Sequence, residues 1–271
     1  MLIAELLGAA LIGLSLGLLG SGGAILTVPI LVYLAGHGEK QAIVESLAIV
    51  GLIALSGALR NGASGQVNLR CVMLFGVPGM LGAFLGALVA KWVPGAVQLA
   101  LLAIVMLLAA WFMFRGRAAE QTKAVRAPGP LIAAEGLGVG GMTGLLGVGG
   151  GFLIVPALTL LARLPVKEAI GTSLAIIAMN CAAGFVKSWR VLDEAGGAVD
   201  WFTVGMFAGV GIAGGFAGVA IGGKLDQRTL RKVFAVFLVL MAVFILIRQA
   251  PRVFNGGGDA PPAAAPRPAS S

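Results

Sequence analysis

Two stretches of this chain, 127 residues apart, interrupt long apolar sequence with the same glycine cluster and the same proline. The first reads Gly20-Ser-Gly-Gly-Ala-Ile-Leu-Thr-Val-Pro29 and the second Gly147-Val-Gly-Gly-Gly-Phe-Leu-Ile-Val-Pro156. Each follows a Gly-Leu-Leu, at Gly17 to Leu19 and Gly144 to Leu146. Glycine costs an α-helix about 1 kcal/mol per position and proline about 3 kcal/mol. In hydrocarbon the freed backbone groups must find partners inside the protein or in a water-lined cavity. Two such breaks at corresponding positions of two halves point to the binding site of a transporter.

The surrounding composition fixes the environment. The 271 residues are 59% hydrophobic and 11% charged, whereas a soluble domain carries about 25% charged residues. The fold class is therefore all-α, a polytopic membrane protein. A membrane β-barrel would alternate with period two, and no such alternation is present. The net charge of +8 does not mark a nucleic-acid binder. Arg60, Arg70, Arg115, Arg117, Lys187, Arg190, Arg248 and Arg252 lie at the ends of apolar runs, where headgroup anchors belong. Cys71 and Cys181 sit in different apolar segments without metal or redox spacing, and read as small buried hydrophobes. The N-terminus, Met1 to Glu5, has no basic leader and no cleavage site, and reads as the start of a retained helix.

The apolar runs expected to be helical are Leu2–Leu19, Ala24–Ala35, Ala42–Leu59, Cys71–Val93, Ala96–Phe114, Leu131–Leu146, Phe152–Ala162, Ala169–Val186, Trp201–Gly223 and Val233–Ile247. Residues 17–34 match residues 144–161 at 11 of 18 positions, and 35–49 match 162–176 at 8 of 15. After a longer second loop the offset becomes 132, and Gly79, Gly82 and Gly86 align with Gly211, Gly214 and Gly218. Glycines at that spacing let helices approach closely. The expected organisation is a first membrane repeat over 1–115, a polar basic linker over 116–130, a second repeat over 131–250 and a disordered Pro/Ala-rich tail over 251–271. About eight transmembrane helices are expected, in two homologous four-helix halves. Ala24–Ala35 spans about 18 Å as a helix, short of the ~30 Å hydrocarbon core. If that piece re-enters, the halves are parallel, and if it crosses with its flanks they are inverted.

The paired signature resembles the sulfite exporter TauE/SafE family. So do the Ala-Ile-x-x-Ser-Leu-Ala-Ile runs after each copy and the Gly-x-x-Gly-x-x-x-Gly helices. The resemblance covers residues 5–250. It implies a multi-pass permease of the bacterial cytoplasmic membrane that moves sulfite, sulfonates or related sulfur anions. The second copy fits at Gly147, Gly149, Gly150, Gly151 and Pro156. The first departs from it, with Ser21 after Gly20 and Ala24 in place of the third glycine of the run.

A sulfur oxyanion needs donors and positive potential, and helix N-termini supply both. The breaks would start helices at Ala24 and Phe152, with glycine letting the anion approach the backbone. The expected substrate-binding residues are Gly20, Ser21, Gly22, Gly23, Pro29, Ser46, Gly147, Gly149, Gly150, Gly151, Pro156, Thr172, Ser173 and Asn180. Lys187 and Arg60 occupy equivalent places and read as interfacial anchors. Glu45 and Glu135 read as snorkelling acids, and His37 as an interfacial loop residue. No cofactor, metal or catalytic residue is expected. The partners are a small anion and the lipid bilayer, and a homo-oligomer stays open. An intramembrane enzyme would need paired carboxylates, a metal set or a nucleophile–base pair inside the spans. A permease for another organic anion such as a carboxylate, or a non-transporting scaffold subunit, is the alternative.

Overall fold

The computed structural model describes residues 2–19, 23–114, 129–149, 151, 154–155, 158, 164–222 and 227–254. Among the described residues the secondary structure is helical throughout. The helices are α1 (Leu2–Leu19), α2 (Ala24–Tyr33), α3 (Glu39–Ala63), α4 (Leu69–Ala90), α5 (Gly95–Phe114), α6 (Gly129–Leu146), α7 (Val166–Glu194), α8 (Trp201–Gly222) and α9 (Gln227–Phe254). Gly151, Ile154, Val155 and Leu158 are helical too. Of these helices, α3, α4, α7 and α8 are long and apolar enough to cross a membrane, and α1, α2, α5 and α9 carry shorter apolar stretches. Of the expected linker over 116–130, Gly129 and Pro130 already belong to α6, and of the expected disordered tail over 251–271, residues 251–254 continue α9; the remainder of both lies outside the described residues.

Most helix bounds fall where the apolar runs end. Two differ for a physical reason. The expected loop from Lys187 to Asp200 is helical as far as Glu194. Lys187, Arg190, Leu192 and Glu194 are good helix formers and carry α7 past the apolar stretch rather than ending it. The expected charged turn from Lys224 to Lys232 is likewise helical from Gln227. Inside α4 the turn Val72–Gly76 widens to a π-helix just before Pro78. A proline ring clashes with the carbonyl four residues back, and the widened turn relieves that clash.

Glycines set how the helices pair. On α1, Gly13 lies against Gly211 of α8 and Gly17 against Gly215, so the two helices run parallel. On α6, Gly140 lies against Gly79 of α4 and Gly144 against Ala83, so these also run parallel. A Cβ on any of these four α1 and α6 glycines would overlap a backbone carbonyl of the facing helix. The central pair, α3 and α7, is antiparallel. The Cβ position of Gly57 is 2.9 Å from Leu174, that of Gly51 is 3.2 Å from Cys181, and that of Gly184 is 3.5 Å from Leu47. Helices α5 and α9 pack on each other outside this core.

Helix α2 folds back on α1. The Cβ position of Gly8 is 2.9 Å from Ile30 and 3.5 Å from Leu34, and that of Gly23 is 2.6 Å from Ser15 Oγ. The chain thus leaves this hairpin at the end where α1 began. Exposed Leu7, Leu81, Leu108, Val219 and Leu240 point away from the bundle. Large apolar side chains on the outside of a helical bundle are what lipid contact requires.

Candidate functional site

The second glycine break reverses the chain within three residues because two of them adopt the left-handed region. Gly147 has φ 71° and Gly149 φ 69°. A residue with a Cβ would be strained at either position by about 1–2 kcal/mol. The turn rests on α3: Ser46 Oγ donates to the Gly147 carbonyl at 2.6 Å and shares its proton with the Ile43 carbonyl at 2.8 Å. From the other side Gln98 Nε2 of α5 donates to the Leu145 carbonyl at 3.1 Å.

This turn reaches the start of α2. A Cβ on Gly149 would lie 2.8 Å from Val50, 3.3 Å from Ile177 and 3.4 Å from Ala24. Ala24 and Ile25 are fully buried, and the α2 N-terminus has Gly23 at its cap position with no side-chain cap. One glycine break therefore sits against the N-terminal end of the helix that the other break releases. Such an end carries unpaired N–H groups and the positive pole of the helix dipole.

Among the described residues, two fully buried polar side chains on α2 and α7 are without hydrogen-bond partners. Thr27 is in the first turns of α2, and its Oγ1 has none. Asn180 is one turn beyond Ile177 on α7, and neither its Oδ1 nor its Nδ2 has one. Its amide packs where Gly79 of α4 leaves space, the missing Cβ lying 2.5 Å from Oδ1. A buried unpaired amide costs about 1–3 kcal/mol, so its retention calls for a ligand or another use.

The expected site residues fall into separate groups. Ser46, Gly147 and Gly149 meet at the turn, Gly23 packs on α1 just before Ala24, and Gly151 is helical and buried just after the turn. Ser46 is committed to holding the turn. Pro29 is buried within α2. Ser173 donates to the Ile170 carbonyl at 2.8 Å, the same pattern as Ser46 to Ile43. Thr172 is elsewhere: its Oγ1 accepts from Asn68 N–H at 2.9 Å, at the start of α4. Gly20, Ser21, Gly22, Gly150 and Pro156 lie outside the described residues.

Sequence reasoning missed two features. A cavity of about 370 Å³ opens at the end of the molecule where α3 begins, lined by Lys40, Lys91, Gln98, Ser188 and Ile43 among others. Among the described residues, buried Gln98 Oε1 and Ser188 Oγ are without partners. Through Gln98 and Ile43 this cavity borders the Gly147 turn, and Lys91 is 3.4 Å from Glu194. A lone Gln in an otherwise apolar run was the signal. The second feature is a cluster of His37, Gln41, Glu45 and Asp200, to which the solitary histidine of the chain was the pointer.

Replacing Ser46 by alanine should leave the buried Gly147 carbonyl without its donor. The expected loss is about 1–3 kcal/mol, read as a lower thermal midpoint in detergent, with Ser56→Ala as a control at a hydroxyl bonded only within its own helix.

A family model described as "Sulfite exporter TauE/SafE" matches residues 5–245. A "Probable membrane transporter protein" of Xylella fastidiosa (strain 9a5c) is 32% identical over 262 residues, covering 92% of this chain and 96% of that protein. The "Probable membrane transporter protein YunE" of Bacillus subtilis (strain 168) is 28% identical over 83% of this chain and 89% of its own length. A third relative, "Probable membrane transporter protein MJ0441" of Methanocaldococcus jannaschii, is 30% identical over 43% of this chain and 44% of its own length. No solved structure matches.

Proposed function

The chain belongs to the sulfite exporter TauE/SafE family, and on that premise we propose that this membrane transporter carries a sulfur oxyanion, sulfite or an organosulfonate, across the cytoplasmic membrane of a bacterium. The anion is held where the Gly147–Gly149 turn meets the N-terminal end of α2. One observation carries this reading: the uncapped, fully buried start of α2 faces the other glycine break, with the partnerless Thr27 one turn into α2 and the partnerless Asn180 one turn beyond Ile177. Backbone N–H groups at a helix start favour negative charge. The buried hydroxyl and amide supply further donors whose loneliness a ligand would end.

The same reading gives the topology. Helices α3 and α7 are equivalent in sequence and antiparallel in space, which favours inverted halves. Each half is then one hairpin that enters and leaves at the same end, followed by three crossings. The hairpin of the first half is α1–α2, and that of the second begins with α6. The Gly147–Gly149 turn meets the start of α2 inside the protein, as expected of broken helices around a substrate site. The parallel glycine pairs α1·α8 and α4·α6 tie each hairpin to the opposite half. Lys40 lines the cavity beside the ion-paired Lys91 and Glu194.

Binding is testable without flux. A ligand that binds only the folded state raises stability by RT ln(1 + [L]/Kd). Sulfite or sulfoacetate should raise the thermal midpoint of purified protein, and matched sodium chloride should not. Equal shifts with chloride, or none with either sulfur anion, would contradict the assignment.

A further inference from the structure

A chain contact occurs twice, once at each end of the bundle, and only one copy carries a histidine. At one end Asn68 caps α4: its Oδ1 accepts from Cys71 N–H at 3.1 Å, and its own N–H donates to Thr172 Oγ1 at 2.9 Å. At the other end Asp200 caps α8: its Oδ1 accepts from Thr203 N–H at 3.2 Å, and its own N–H donates to Glu45 Oε1 at 2.9 Å. Asn68 and Asp200 are related by the offset of 132, and Glu45 and Thr172 by the offset of 127. Where the first contact joins Asn68 to Thr172 and to one carboxylate, Glu168, whose Oε1 accepts from Asn68 Nδ2 at 2.9 Å, the second has two carboxylates, and the histidine His37 joins them.

His37 follows the α1–α2 hairpin. Its Nδ1 is hydrogen-bonded to Glu45 Oε2, and its Nε2 is 4.0 Å from Asp200 Oδ2. The imidazole is 15% exposed and the Glu45 side chain fully buried. Gln41 Nε2 donates to Glu45 Oε1 at 2.8 Å, and Thr203 Oγ1 donates to Asp200 Oδ2 at 2.7 Å. The residue of the second half equivalent to His37 is Leu164, which keeps the backbone bond but not the chemistry. His37 N–H donates to the Leu31 carbonyl and Leu164 N–H to the Leu158 carbonyl, both at 3.1 Å.

We infer that His37, Glu45 and Asp200 form a proton-binding latch at one end of the transporter. With the proton on, the imidazolium donates from Nδ1 to Glu45 and presents Nε2–H to Asp200. It thereby ties the hairpin's return, α3 and the α7–α8 turn together. With the proton off, one of these two donations is lost and two carboxylates face each other across a neutral ring. The charged groups facing His37 are Glu5 from α1, Glu45 from α3 and Asp200 from the α7–α8 turn. At its flank Glu39 accepts from Gln249 of α9 at 2.8 Å.

The titration sign follows. The hydrogen bond to Glu45 holds the His37 pKa above the ordinary 6.5, against the lowering effect of burial, and the charges of Glu45, Asp200 and Glu5 add to it. Burial alone would raise Asp200, but its bonds from Thr203 and Phe202 and the His37 charge leave it below the ordinary value. The latch is thus fully present below the ordinary histidine pKa and is lost as pH rises through the raised one. The contact at Asn68 holds the Glu168 carboxylate but no histidine, so the imidazole switch acts on one end of the molecule.

Two readouts test this, and neither needs transport. His37 is the sole histidine, so protein labelled with nitrogen-15 histidine in nanodiscs gives a single imidazole titration. Its midpoint should lie above 6.5 and fall toward 6.5 in Glu45→Gln. Hydrogen exchange then compares residues 197–204 with residues 65–72 as an internal reference. Protection of 197–204 should drop relative to the reference as pH rises through the histidine midpoint, by about tenfold per unit of pKa shift. In His37→Gln, which keeps a hydrogen-bonding group without the charge, the ratio should be constant. A midpoint at or below 6.5, or an unchanged exchange ratio in the wild type, overturns the latch. Absence of anion flux with both readouts as expected overturns the permease reading and leaves the latch standing.

Discussion

Gly140→Val should abolish the folded state, while Gly138→Ala on the same helix should be neutral or stabilising. The Cβ position of Gly140 overlaps the Gly79 carbonyl, its carbon and its Cα, so no side-chain rotation can relieve the clash. The helices must separate, and with them the neighbouring contacts Gly144–Ala83 and Gly136–Phe75. Overpacking of a core costs about 1–3 kcal/mol where side chains can adjust, and more where backbone must move. At Gly138 nothing lies within 4 Å of the Cβ position. Alanine there removes the helix cost of glycine, up to about 1 kcal/mol. Gly13→Val, against Gly211, should fail in the same way. Size-exclusion profiles and thermal midpoints in detergent decide this, and a folded Gly140→Val protein would mean that α4 and α6 are not in backbone contact.

Asn180→Leu should produce a more stable protein that no longer transports. The amide is fully buried with both polar atoms unpaired, and the equivalent residue of the first half is Ile53, which packs against Gly211 as Asn180 packs against Gly79. Replacing an unpaired amide by an apolar group of similar size removes a penalty of about 1–3 kcal/mol. If Asn180 donates to the anion, flux should fall at least about tenfold, the loss of roughly 1.4 kcal/mol of binding. Higher stability with undiminished flux would move the anion away from Asn180. A fall in both would mark Asn180 as an ordinary packing residue.

The helices were legible because apolar runs, glycines and turn residues act locally. Leu2–Leu19 and Gly95–Phe114 fall within a residue of the runs that announce them. The glycine breaks were legible for the same reason: Gly147 and Gly149 need a left-handed backbone that few other residues tolerate. What the sequence concealed is long-range. Ser46 read as a ligand donor, yet its hydroxyl reaches across 101 residues to hold the Gly147 carbonyl. Thr172 stands beside Ser173 in sequence, but one position along a helix turns a side chain by about 100°, and it faces Asn68 instead. His37 and Glu45 each looked bland because neither spacing nor composition brings Asp200 from 155 residues away to the same point. Pairings of that kind follow from packing and leave no local signature.

The permease reading is tested most directly by uptake into liposomes containing the purified protein, with labelled sulfite, sulfoacetate and lactate as substrates. Wild type, Gly149→Leu and Asn180→Leu are compared, the last as a variant that keeps its fold. The account predicts saturable flux of a sulfur oxyanion that is lost in both variants and is weaker or absent for lactate. Flux of the sulfur anions that survives both substitutions, or flux of lactate alone, would contradict it.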